Sequence, residues 1–167
     1  PWTILNRKCW LINELRMNRL VDVYPYREEQ GEVKFVIFKR SQDVIYSGQW
    51  RMVGGKVKNE ERAYEAALRE LNEETALKPT LLWTLPSVNT FYDRHADAIR
   101  HVPAFGAEID SHSEIDLNHE HSEYQWISEK QIESYISWPE QRRLMRLLQK
   151  IILNNEILDD WIIESQK

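Results

Sequence analysis

Residues 54–77 read Gly54-Gly-Lys-Val-Lys-Asn-Glu-Glu-Arg-Ala-Tyr-Glu-Ala-Ala-Leu-Arg-Glu-Leu-Asn-Glu-Glu-Thr-Ala-Leu77, a glycine pair followed by a helix-length run. The run ends with Glu70, Glu73 and Glu74 at relative positions i, i+3 and i+4, which share one face of a helix. Like charges at that spacing repel, and the arrangement makes sense where a cation sits among them. Taken alone, such a cluster reads more simply as a solvated face. Asn59 is the expected N-cap, with acidic residues in the first turn to suit the helix dipole. Tyr64, Ala67, Leu68 and Leu71 supply the apolar side, and Ala63 and Ala66 lie beneath the carboxylates, where small side chains leave room for ions. Pro79 marks the end.

Working outward, Trp50–Val53 is a short strand that delivers the chain to Gly54-Gly55, after a polar loop over 40–49. Val33–Lys39 reads as a buried strand that pairs antiparallel with Leu20–Tyr26 through the polar connection 28–32. Pro25 suggests an edge position for the earlier strand. Downstream, Leu81–Leu85 and Val102–Ile109 read as strands separated by a loop carrying Arg94, His95, Asp97, Arg100 and His101. A polar loop over 110–121 leads into the alternating strand Glu123–Ile127. Ser128 caps a helix, residues 139–153 form another opened by Pro139, and 155–165 are expected to form one more. Mixed strands and helices predict a mixed sheet with helices on both sides. Residues 1–18 have no clean period and are read as an extension of unassigned role before a domain over 19–167.

A chain of 167 residues is most simply one domain that buries roughly 70 % of its unfolded surface. The net charge of −5 offers no basic field for a nucleic-acid polymer. With Cys9 alone, no intrachain disulfide forms, which suits a reducing, cytoplasmic setting. No apolar run approaches the roughly 18–20 residues of a membrane span, and the start lacks a signal-peptide layout. Three histidines, His112, His119 and His121, raise zinc, but no cysteine lies near and a polar loop more often carries solvated histidines.

As a pattern, the opening stretch is Gly55, five residues, Glu61, seven residues, Arg69-Glu70-Leu71, one residue, Glu73-Glu74, one residue, Ala76-Leu77. It resembles the Nudix box, G-x5-E-x7-R-E-U-x-E-E-x-G-U with U aliphatic, except that Ala76 stands where the family has glycine. A residue with positive φ there would cost alanine on the order of 1 kcal/mol and leave the carboxylates untouched. The resemblance implies an α/β fold, the Nudix α/β/α sandwich with a mixed β-sheet. It also implies Mg²⁺-dependent hydrolysis, with Mn²⁺ an accepted substitute, of a nucleoside diphosphate linked to another moiety. Glu70, Glu73 and Glu74 would ligate the metal with the carbonyl of Gly54. Arg69 would orient a glutamate, Glu73 in the first place, while Glu61 supports the loop. From across the cleft, Glu120 would ligate metal or act as general base. Arg51, Phe91, Tyr92 and Arg94 are the expected substrate contacts, while Arg142 is expected to be a structural ion-pair partner. The 102–142 segment is similar to bacterial dATP and dihydroneopterin triphosphate pyrophosphohydrolases, so the expected substrate is a nucleoside triphosphate cut to monophosphate and pyrophosphate. Dinucleoside polyphosphates, nucleotide sugars and a non-hydrolysing nucleotide sensor stay open as alternatives. The partner is then a small nucleotide, and a homodimer is compatible with the sequence.

Overall fold

A computed structural model describes residues 19–163. In chain order its elements are β1 (Leu20–Glu29), β2 (Glu32–Arg40), β3 (Trp50–Arg51), β4 (Val53–Lys56), α1 (Ala63–Thr75), β5 (Leu81–Asp93), β6 (Ala98–Glu108) and β7 (His121–Ile127). A 3₁₀ turn, Glu129–Gln131, then runs into α2 (Ile132–Tyr135), followed by α3 (Pro139–Leu153) and a 3₁₀ turn at Asp159–Trp161. One mixed sheet holds all seven strands in the path β3-β2-β1-β6-β5, with β4 also paired to β1 and β7 to β2. The β1–β6 pair is parallel, and its neighbours run antiparallel.

Alternation along the central strands builds a core on each face. Val21, Val23, Val36 and Phe38 point to one side, where Ala66, Ala67 and Leu71 of α1 cover them. Tyr24, Tyr26, Phe35 and Ile37 point to the other, closed by Leu144, Met145 and Leu148 of α3 and Ile132 of α2. Strands buried on both faces need cover from two helical layers. The expected α/β/α sandwich with a mixed sheet is therefore what forms. The turn between β1 and β2 is two residues, Gln30 and Gly31, both with positive φ (51° and 78°), the backbone that a tight hairpin demands.

Several local expectations give way. Pro25 lies in a central strand, not at an edge. It falls between the segment of β1 paired to β4 (Leu20 to Val23) and the segment paired to β2 (Tyr26 to Glu29), where the missing N–H removes no ladder bond on that side. Helix α1 starts at Ala63 rather than near Asn59, because Glu60 takes a left-handed φ of 66° that no helix continues through. Its first turn is held instead by Glu65, whose carboxylate accepts the Arg62 N–H at 2.7 Å. Ala66 is fully buried in the core beneath α1, so it serves close helix–sheet packing and leaves no room for ions. The presumed loop around Arg94 is the tip of a long β5–β6 hairpin, with Arg100 and His101 inside β6. The last expected helix is only a 3₁₀ turn. Asn155 breaks the backbone with φ 53°, and the tail then lies against β5 through a Trp83–Ile162 bridge and the Ile163 N–H to Leu82 carbonyl bond of 2.8 Å. The extension over 1–18, with Cys9, lies outside the described residues.

Candidate active site

Pairing of β1 with β4 sets Asp22 opposite Gly54 and Val21 opposite Gly55. Glu70 of α1 then lies flat on the glycine pair. A Cβ added at Gly55 would stand 2.2 Å from the Glu70 Cδ, so only glycine lets the carboxylate approach the strand this closely. Arg69 is the organiser. Its Nε and Nη2 donate to the two oxygens of Glu61 (2.7 and 3.0 Å), Nη1 to Glu70 (2.6 Å) and Glu73 (3.1 Å), and Nη2 also to the Lys56 carbonyl (2.9 Å). Glu61 in turn accepts the Lys58 N–H at 2.8 Å, the loop support expected of it. Its pKa is held down to about 2, chiefly by Arg69. Charge-assisted, bidentate bonds of this kind fix geometry as well as energy.

Glu74, only 2 % exposed, meets His121 Nε2 at 2.5 Å. Burial raises the Glu74 pKa, and the His121 contact opposes the rise. Burial likewise raises Glu70, against the pull of Arg69. Both carboxyls are also raised by the charge of Glu120. That residue is brought across by the 110–120 loop, whose Asp116 and Asn118 N–H groups cap the Thr75 and Glu74 carbonyls at 3.0 and 3.1 Å, satisfying orphan acceptors at the end of α1. Asn118 Oδ1 accepts the Glu120 N–H, and Arg40 Nη1 donates to the Glu120 carboxylate, both at 2.9 Å.

These groups face a cavity of about 640 Å³, within the range of small-molecule sites. Glu70, Glu74, Glu120, Gly54 and Gly55 line it, as do the expected contacts Arg51 and Phe91. Glu73 does not reach the lining. Its side chain is half exposed and pairs with Arg69 and, at 4.0 Å, Lys58. Tyr92 is exposed on the hairpin and donates to Asp97 at 2.8 Å, while Arg94 sits exposed in the hairpin turn; neither lines the cavity. Arg142 pairs with Glu133 at 2.6 Å, as expected of a structural partner. His112 is exposed beside Asp110, His119 is exposed, and only His121 is buried, so the three histidines form no shared site.

Sequence reasoning missed a second polar group in the same cavity. Asp22 on β1, Asn89 on β5 and Gln141 on α3 all line it, and Asn89 Nδ2 donates to Asp22 at 2.8 Å. Their positions are too far apart in the chain for any local spacing to reveal them. Burial raises the Asp22 pKa, while hydrogen bonds from Asn89 and Gln141 and the Arg51 charge oppose the rise. The Arg51 guanidinium lies over the rings of Tyr46 (4.2 Å) and Trp138 (4.9 Å).

Among the described residues, no three His, Cys, Asp or Glu side chains converge closely enough to grip an ion as they stand. Arg69 draws Glu70 and Glu73 aside, Arg40 draws Glu120, and His121 holds Glu74. The donor chemistry nevertheless fits a hard divalent cation. Glu70, Glu74 and Glu120 are oxygen donors lining one cavity, and a cation would relieve their mutual repulsion.

The NUDIX domain family model matches residues 17–148, well over half of the chain. The chain belongs to the Nudix family. Among curated relatives, this Nudix hydrolase is 26 % identical over 114 residues to nucleoside triphosphatase NudI of Klebsiella pneumoniae (strain 342), covering 64 % of this chain and 81 % of that one. The fold is shared with a Caenorhabditis elegans Ap4A hydrolase, with a TM-score of 0.67 at 20 % identity, over 81 % of this chain and 99 % of that chain. It is also shared with the Escherichia coli dihydroneopterin triphosphate pyrophosphohydrolase, with a TM-score of 0.64 at 19 % identity, over 80 % and 97 %. No helix among the described residues is long and apolar enough to cross a membrane.

Proposed function

We propose that this Nudix hydrolase uses Mg²⁺, with Mn²⁺ as a substitute, to cleave a nucleoside triphosphate into monophosphate and pyrophosphate in the cytoplasm. The observation that carries the reading is that Glu70 and Glu74, from the box helix, and Glu120, from the 110–120 loop, line the same cavity. The resemblance to nucleoside triphosphatase NudI supports the choice of substrate class.

Glu70 and Glu74, with the Gly54 carbonyl, would hold the metal, and Glu73, which pairs with Arg69 outside the cavity lining, would join the set only by leaving that pair. When bound, the ion supplies charge neutralisation on the phosphate oxygens and acidifies a water. Arg69 keeps Glu70 against the glycine pair and ties it to Glu61. His121 fixes the rotamer of Glu74 from below. Glu120 would take the proton of the attacking water as a new phosphorus–oxygen bond forms and the bridging phosphorus–oxygen bond between the monophosphate and pyrophosphate parts breaks. Arg51 and Phe91 line the same cavity and would contact the substrate. Survival of every box carboxylate favours hydrolysis over a sensing role.

The test is a panel of nucleoside triphosphates, dinucleoside polyphosphates and nucleotide sugars with Mg²⁺, with phosphate or pyrophosphate release as the readout. Triphosphates should be the best substrates, and Glu70→Gln and Glu74→Gln should each lower turnover by on the order of 100-fold or more with circular dichroism unchanged. Substantial activity in both variants would overturn the metal assignment.

A further inference from the structure

The 110–120 loop takes hold of Glu74 twice. It reaches the backbone first, where the Asn118 N–H bonds the Glu74 carbonyl at 3.1 Å, beside the Asp116 bond to the Thr75 carbonyl at 3.0 Å. His121, the first residue of β7, then reaches the side chain, with Nε2 2.5 Å from Oε2. An ionised carboxylate only accepts, so Nε2 carries the hydrogen. Oε2 is taken by this bond, and Oε1 is the oxygen left for an ion.

Glu120 is built into the same turn. Its N–H bonds Asn118 Oδ1 at 2.9 Å, its carbonyl accepts the Ser41 N–H at 2.9 Å, and the His121 N–H returns to the Asn118 carbonyl at 3.3 Å. The backbone that carries the Glu120 carboxylate is thus held between the two residues that hold Glu74. Filling space does not explain the histidine. Its side chain has no exposure, packs on the Phe38 ring at 5.3 Å and leaves Nδ1 buried with no hydrogen-bond partner among the described residues. An apolar side chain there would avoid the cost of that orphan nitrogen, so what the imidazole adds is the bond to Glu74. Ile115 and Leu117 anchor the loop on the α1 side of the sheet by their own apolar packing, so losing the bond loosens the turn without detaching the loop.

We propose that His121 and Asn118 form a clasp that makes Glu74 and Glu120 one unit and sets the spacing of the two carboxylates between which a divalent cation would sit. Both are positioning residues, since neither lines the cavity. The effect on the ion rests on the metal reading of the cavity; the clasp itself does not.

Variants of the full chain test it. His121→Leu removes the bond, and His121→Gln returns an amide donor to the place of Nε2. Without metal, hydrogen exchange at the Asn118 and Glu120 amides should be at least about tenfold faster in His121→Leu, closer to wild type in His121→Gln, and unchanged in β1 and β6. Mn²⁺ titration followed by electron paramagnetic resonance, without nucleotide, should show about tenfold weaker binding in His121→Leu and recovery in His121→Gln. Combined with Glu120→Gln, the two losses should fall well short of additive, because the clasp acts on Glu120. With Mg²⁺ and a nucleoside triphosphate, kcat of His121→Leu should fall at least about tenfold while KM moves by less than about threefold. Asn118→Ala opens the other half of the clasp without removing a core side chain and should couple to Glu120→Gln in the same way, which keeps the test decisive if His121→Leu does not fold. Additive losses in Mn²⁺ affinity, or unchanged exchange at both amides in folded His121→Leu, overturn the proposal. Should wild type bind no Mn²⁺, the metal reading falls and hydrogen exchange alone decides the clasp.

Discussion

Ala76 ends α1 with φ 59° and ψ 6°, and its N–H bonds the Asn72 carbonyl at 2.8 Å. A side chain is tolerated in this left-handed conformation at a cost that glycine does not carry. Ala76→Gly should therefore raise unfolding stability by on the order of 1 kcal/mol, visible as a higher midpoint in urea; a lower midpoint would show that the methyl group packs usefully. Gly55 is the opposite case, since an added methyl collides with the Glu70 carboxylate. Gly55→Ala should lower Mg²⁺-dependent turnover by on the order of 100-fold, the usual effect of moving a reacting group by about an ångström, while the fold persists by circular dichroism. Both residues stand out in the sequence because the box fixes their spacing. Asp22, Asn89 and Gln141 do not, because three elements and two layers bring them together and none of them shares a local period. His121 is the intermediate case. It was visible as one of three loop histidines, but only the docking of the 110–120 loop on the end of α1 shows that it alone is buried against Glu74.

The element that most depends on charge is the loop from β4 into α1. Glu61, Arg69 and the Lys56 and Lys58 backbone close it as one unit. The Glu61 carboxyl titrates near 4.5 when unperturbed and about 2 in the fold. The folded state thus binds its proton less readily, so the stabilisation is whole above about pH 4.5 and is lost as pH falls toward 2. Partial exposure screens the pair, so its contribution is on the order of 1 kcal/mol. Thermal melts between pH 5 and pH 2 should show a smaller decline in Glu61→Gln than in the wild type, after the wild type's higher starting midpoint is allowed for; parallel declines would remove Glu61 from the acid response. Element boundaries were harder to read than element existence. The charged tip of the β5–β6 hairpin looked like a long loop because Arg100 and His101 carry loop composition into a strand whose partner, β5, supplies the hydrogen bonds. The apolar residues after 155 fit a helix by spacing, and lose it to the free edge of β5 and the stacking of Trp161 on Trp83 at 6.5 Å.

At the scale of the molecule, two cores on the two faces of one sheet hold α1 and α3 on opposite sides. The cavity takes residues from both layers: Glu70 and Glu74 come with α1, and Gln141 comes with α3. The proposed reaction was readable because one contiguous stretch carries the carboxylates assigned to it. The rest of the cavity lining was not, because it forms only where the α3 layer meets β1 and β5. The central claim is that the Glu70–Glu74–Glu120 set cleaves a triphosphate by water attack at phosphorus. Product analysis in isotope-labelled water tests it most directly, with a nucleoside triphosphate, Mg²⁺ and either wild-type or Glu74→Gln protein. Wild type should release monophosphate and pyrophosphate in equal amounts, with one labelled oxygen in one of the two, and Glu74→Gln should release almost none. Unlabelled, intact triphosphate with the wild type, or equal labelling by the variant, would contradict the account.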